Sequence, residues 1–145
     1  MGSRRNLILA VLFLAVAAAA IYVAYQSEQM DPPPTSDGGS KAMVAVTLPA
    51  ELSDQAIEGQ VLFDEHCAAC HGANAAGSEN GPPFVHKVYE PGHHADVSFL
   101  LATQRGVRAH HWKFGDMPPQ PEVTPDDVEL IVSYVREMQR ANGIN

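Results

Sequence analysis

Basic side chains are scarce. Nine Lys and Arg stand against seventeen Asp and Glu in 145 residues, for a formal net charge of -8. The imbalance sits in residues 51–145, where six basic residues meet fourteen acidic ones, whereas residues 1–50 carry three of each. A surface this acidic repels phosphate backbones and anionic headgroups, which argues against nucleic acid or a lipid surface as a direct ligand. Cysteine is equally sparse. The two present, Cys67 and Cys70, fall in one short motif, so no disulfide framework staples the chain. No segment alternates convincingly as a strand and no internal repeat is visible, which leaves an all-α reading with long loops.

The apolar residues are unevenly spread. Residues 7–25 form an uninterrupted run of 19 without a charged or amide side chain. At about 1.5 Å rise per residue such a run spans about 28 Å, close to the ~30 Å hydrocarbon core of a bilayer and longer than the ~7–15 residues of a signal-peptide apolar region. Arg4 and Arg5 precede it and no basic residue follows closely, which by the positive-inside bias leaves the amino terminus in the cytoplasm and exports the rest. Residues 1–26 are therefore expected to be a single transmembrane anchor of a bacterial inner membrane, with the remainder in the periplasm. The alternative is a cleaved signal, for which Ala17 to Ala20 offer small residues. Residues 27–50 hold Pro32, Pro33, Pro34, Gly38 and Gly39 among polar side chains, a linker composition, and residues 51–145 are expected to be the folded domain.

Within that domain the helix signals are local and plain. Ser53 is a suitable N-cap, and Ala56, Gly59, Phe63 and Cys67 recur at three- and four-residue steps behind it. Glycine inside a helix costs ~1 kcal/mol relative to alanine, so Gly59 requires a close approach, expected under Tyr134. Thr124, Pro125 and Asp127 mark a strong helix start. Behind it Val128, Ile131, Val132 and Val135 form one apolar stripe and Leu130, Tyr134 and Met138 a second, predicting burial over a broad face. A shorter helix is predicted over residues 96–104, through Phe99, Leu100 and Leu101.

Cys67, Ala68, Ala69, Cys70 and His71 form CxxCH, the attachment signature of c-type haem. Two thiols separated by two residues reach the two vinyl-derived carbons on one side of a porphyrin, and the next residue then lies under the iron with an imidazole as proximal ligand. Export agrees, because this attachment takes place outside the cytoplasm. A redox CxxC would want a βαβ context and a cysteine-rich zinc site a second thiol pair, and the sequence has neither. A domain of this size has a marginal core of its own, and a buried porphyrin supplies apolar surface.

These features together resemble the class I cytochromes c over about residues 53–140. Gly59 and Phe63 stand eight and four residues before Cys67, Gly72 follows the motif histidine, and Gly81, Pro82, Pro83, Phe84 resembles the family's Gly-Pro loop. Gly115, Asp116, Met117, Pro118, Pro119 is similar to the loop that supplies the sixth ligand, and Tyr134 and Val135 match the carboxy-terminal helix. The resemblance implies a class I fold of three to four helices around one covalent haem. It further implies that the Pro82 carbonyl orients His71, that Met117 completes the iron coordination, and that the Trp112 indole donates to a haem propionate. Of the other methionines, Met1, Met30 and Met43 lie in the anchor or linker and Met138 reads as helix core.

His93, His94, His110 and His111 come as two adjacent pairs in loops. They read as exposed loop residues; either pair could alternatively coordinate copper or zinc, or one imidazole could replace Met117 on the iron. His66 and His86 read as exposed. Arg105, Arg108 and Lys113 are candidates for neutralising propionates or lining a docking face. With both axial positions filled there is no place for a substrate, so the expectation is a single-electron carrier and not an enzyme. Its expected partners are membrane redox complexes such as a quinol-cytochrome c oxidoreductase and a terminal oxidase or photosynthetic reaction centre. The alternatives are a fixed haem subunit of a larger oxidoreductase complex and a haem enzyme or gas-binding protein with an open iron.

Overall fold

The computed structural model describes residues 41–145 together with Asn6 and Tyr22. The expected membrane anchor and most of the linker lie outside the described residues, among which no helix is long and apolar enough to cross a membrane. Four α-helices follow in order: α1 (Asp54–His66), α2 (Ala68–His71), α3 (Asp96–Arg105) and α4 (Pro125–Ala141). Short 3-10 turns occupy Ala73–Ala75 and Lys87–Tyr89. The sole β feature among the described residues is an isolated antiparallel bridge between Val107 and Met117.

The helix starts are where the local chemistry puts them. Ser53 Oγ accepts from the Ala56 amide at the head of α1. Thr124 and Asp127 form a reciprocal capping box ahead of α4, with Pro125 in the first turn. The Thr124 side-chain and backbone hydrogen bonds hold the Asp127 carboxyl below its ordinary range. The predicted third helix is α3, one residue longer than expected.

α1 and α4 cross with their backbones in contact. A Cβ built on Gly59 would lie 2.0 Å from the Leu130 carbonyl oxygen, so no side chain fits there. This corrects the expected partner of Gly59. The glycine meets the main chain at Leu130, one turn before Tyr134, while the Tyr134 ring packs on Phe63 with centroids 5.4 Å apart. Phe84, Phe99, Val123, Val128 and Met138 complete the core.

Two polar residues of α4 lie inside this core, which the apolar stripes did not predict. Arg136 is 7% and Gln139 0% exposed. Arg136 donates to the carbonyls of Tyr89 (2.7 Å) and His94 (2.5 Å), to Gln139 Oε1 (2.6 Å) and to Asp96 Oδ1 (2.8 Å). Gln139 Nε2 donates to the carbonyls of Phe84 and Tyr89, both at 2.9 Å. Residues 84–94 have few regular partners for their backbone groups, and these two side chains supply the donors that allow the segment to be covered.

Residues 43–49, assigned from sequence to the 27–50 linker, run along the domain. The Met43 and Val44 amides donate to the Ala76 carbonyl, and Thr47 exchanges two 2.8 Å hydrogen bonds with Asn142. Val44 and Val46 pack against the core while Ala45 and Thr47 are exposed.

Candidate functional site

α1 ends at Cys67 and α2 carries Ala68 to His71, so the whole CxxCH motif is wound into one helical turn beneath the core. Gly72 permits the sharp exit: it sits at φ +74°, and a Cβ there would come 2.2 Å from the Gly77 carbonyl oxygen. The following loop folds back on the motif, with Ser78 Oγ donating to the Cys70 carbonyl at 2.6 Å. Gly81 packs against Cys70 so tightly that a Cβ would be 2.8 Å from the same oxygen. That approach brings Pro82 to the histidine.

His71 Nδ1 lies 2.9 Å from the Pro82 carbonyl oxygen. A carbonyl only accepts, so Nδ1 carries the proton and the lone pair is on Nε2. Burial lowers the His71 pKa against the opposing effect of the Pro82 bond, so the ring is neutral at physiological pH and fit to bind a metal. Phe84 stacks on it with centroids 4.0 Å apart.

His71 faces a cavity of about 360 Å³ whose lining includes Cys67, Pro82, Phe84, Phe99, Trp112 and Met117. Five of the six site residues expected from sequence thus meet in one place. Cys70, the sixth, is exposed at the edge of the motif turn. Met117 is delivered by the Val107–Met117 bridge, two 2.9 Å backbone hydrogen bonds that close the neck of loop 107–117. Gly106 at φ +73° makes room for it, since a Cβ would lie 2.5 Å from the Met117 carbonyl oxygen.

The polar inventory of the cavity is short, and one member is orphaned. Trp112 Nε1 is buried without a hydrogen-bond partner. It stands close enough to the Tyr89 hydroxyl to oppose the rise to about 12 that burial imposes on that phenol, but it completes no hydrogen bond there. A buried N–H without an acceptor costs about 1–3 kcal/mol, so an acceptor on a bound group fits this position. Burial also pushes the Cys67 thiol up to about 11, with Cys70 adding to the rise. That is opposite to the depressed thiol of a CxxC redox couple.

His86 is not merely solvated: its Nδ1 accepts from the Val88 amide at 3.2 Å and its ring meets Trp112 edge-on at 5.0 Å. Arg105, Arg108 and Lys113 are all exposed. The two histidine pairs, sixteen residues apart in the chain, converge: His93 Nε2 and His111 Nε2 are 3.2 Å apart, and His94 and His110 stand beside them. Desolvation and the neighbouring His110, His94 and His93 hold the His111 imidazole below its ordinary range.

A CxxCH turn at the wall of an apolar cavity, a neutral histidine aimed into it and an unpaired indole donor inside it define a protein built around c-type haem. The family model for cytochrome c matches residues 56–139, more than half of the chain, and the chain belongs to the class I cytochromes c, with one covalently bound haem c. A similar protein is the cbb3-type cytochrome c oxidase subunit CcoP of Rubrivivax gelatinosus, 34% identical over 85 residues, which are 57% of this chain and 26% of that subunit. The chain therefore matches only about a quarter of that relative. No solved structure matches.

Proposed function

We propose that this protein is a membrane-tethered single-electron carrier on the periplasmic side of a bacterial inner membrane. Cys67 and Cys70 would hold the porphyrin, and His71 Nε2 and Met117 Sδ would ligate its iron. The observation that carries this reading is that His71 and Met117 line one apolar cavity, each fixed from behind by main-chain hydrogen bonds. Bound haem supplies a one-electron ferric/ferrous couple, and thioether ligation raises its potential.

The residues of the chain set how that couple behaves. Pro82 fixes the tautomer and direction of the His71 ring and increases its basicity. Phe84 and Phe99 exclude water from the proximal wall. Trp112 Nε1–H offers its hydrogen bond to a propionate, and the acidic surface selects electropositive docking partners such as a quinol-cytochrome c oxidoreductase or a terminal oxidase. With both axial positions taken by the chain, docking needs no bond to the partner.

The likeness to an oxidase subunit supports a second reading, a fixed haem subunit of a terminal oxidase complex. Copurification separates the two: a shuttle leaves the membrane fraction without an oxidase, and a subunit leaves with it at a constant ratio. The ligation is tested on the purified holoprotein by the near-infrared methionine-to-iron band of the oxidised form and by carbon monoxide addition to the reduced form. A band with no carbon monoxide binding is expected. No band with rapid binding would favour an open, catalytic or sensing iron.

A further inference from the structure

We propose that His93, His94 and His111 form a second metal site, distinct from the haem iron, that binds one divalent transition-metal ion of the copper and zinc type through imidazole nitrogens. The three side chains come from two loops far apart in sequence, and their ligand atoms lie within 4.8 Å of one another. Two of them are already at coordination spacing. Imidazole nitrogens at ~2.0–2.1 Å from a tetrahedral ion stand about 3.3 Å apart, and His93 Nε2 and His111 Nε2 are 3.2 Å apart. In the absence of an ion one of these nitrogens donates its proton to the other; the ion takes that proton's place.

The third imidazole is oriented as metal-binding histidines are. His94 Nδ1 donates to the Val88 carbonyl at 2.6 Å, which leaves the lone pair on Nε2 and fixes the ring plane. The loop that carries His93 and His94 is itself held from below, because Arg136 donates to the carbonyls of His94 and Tyr89. A buried arginine spent on two main-chain oxygens of an otherwise irregular loop makes the position of that loop a fixed property of the domain. The opposite side is fixed by the Val107–Met117 bridge and by Asp116, whose Oδ1 accepts from the Ala109 amide at 2.9 Å. Both halves of the site are thus set before any ion arrives.

The ligand set selects the ion. Neutral imidazole without a carboxylate or thiolate suits copper and zinc and suits magnesium or calcium poorly, and for such a set Cu²⁺ binds more tightly than Zn²⁺. His93 and His111 are exposed, so an ion can enter from solvent, and the acidic domain attracts it. His94 and His111 also border the cavity assigned to the haem. On that assignment a bound cation adds positive charge beside the haem and favours the ferrous state.

The test uses the full-length holoprotein, stripped with a chelator and titrated with Cu²⁺ and separately with Zn²⁺ by calorimetry. One ion per chain is expected, with Cu²⁺ the tighter, and the Cu²⁺ form should give electron paramagnetic resonance with hyperfine splitting from imidazole nitrogen. The double variant His93→Ala/His111→Ala should weaken binding at least about tenfold, the low end of what a metal site loses with even an outer partner. His66→Ala, remote from the cluster in sequence and in contacts, should leave binding unchanged. Equal affinity in the wild type and the double variant would overturn the proposal. So would a near-infrared band absent from the wild type and present in His111→Ala, which would make that histidine an iron ligand in place of Met117. The band in the wild type reports on Met117 independently, so failure of the axial assignment and failure of the second site are distinguishable.

Discussion

Met117 lines the cavity, and its own amide and carbonyl are tied to Val107, which fixes where its side chain starts. Replacing it tests ligation without touching the covalent attachment. Met117→Ala is expected to retain haem through Cys67 and Cys70, to lose the near-infrared band, to bind carbon monoxide when reduced and to have a lower potential by potentiometric titration. An unchanged band would remove Met117 from the iron. Trp112 poses a different question, because its indole packs on His86 and Phe114 and yet leaves Nε1 unpaired. Trp112→Phe keeps most of the packing and deletes the donor. If the indole serves a propionate, the potential should fall while stability to denaturant changes by about 1 kcal/mol or less, since the lost donor leaves a carboxylate that water can reach.

The crossing of α1 and α4 is the contact on which the motif turn rests. Alanine at position 59 would gain ~1 kcal/mol of helix propensity, but its methyl carbon would meet a backbone oxygen at 2.0 Å that cannot rotate away. Steric cost wins. Gly59→Ala should destabilise the holoprotein by about 1–3 kcal/mol in denaturant unfolding, as overpacking does, and unchanged stability would mean the helices can separate freely. The Arg136 clamp makes a second test at this level. Arg136→Leu puts an apolar side chain of comparable bulk in its place but leaves the His94 carbonyl and the buried Gln139 Oε1 without their donor, at about 1–3 kcal/mol for each unsatisfied group, while the Tyr89 carbonyl keeps its bond from Gln139. A loss of at least about 2 kcal/mol is expected, with faster amide exchange confined first to the segment around residues 89–94. The Asp96 partner contributes little to this figure, because its side chain is 70% exposed and the ion pair is screened.

The domain as a body carries a net charge of -8, and the proposed carrier role would have it dock by that charge. Electron transfer to a partner with a basic docking face should slow steeply as ionic strength rises from ~0.01 to ~0.15 M, because the Debye length shrinks from about 30 to about 8 Å. Stopped-flow reduction at several salt concentrations measures this. A rate independent of salt would point away from electrostatic docking and toward a permanently assembled partner.

Cys67, Cys70 and His71 were legible in the sequence because one helical turn holds all three, and so were the starts of α1 and α4, because a cap acts within four residues. Pro82 and Met117 were reached through the resemblance to a family; neither residue announces a role by its own chemistry. Other features depended on which loops meet. Arg136 and Gln139 look like interruptions of an apolar stripe until the carbonyls of residues 84–94 lie over them. Two histidine pairs look like solvated loop residues until a bridge at Val107 and a clamp at His94 bring them to 3.2 Å. Caps, periodicity and the attachment motif are short-range properties that the amino-acid order alone determines. Burial of a polar side chain and convergence of distant ligands are decided only when long-range contacts close, because each depends on atoms that are remote along the chain.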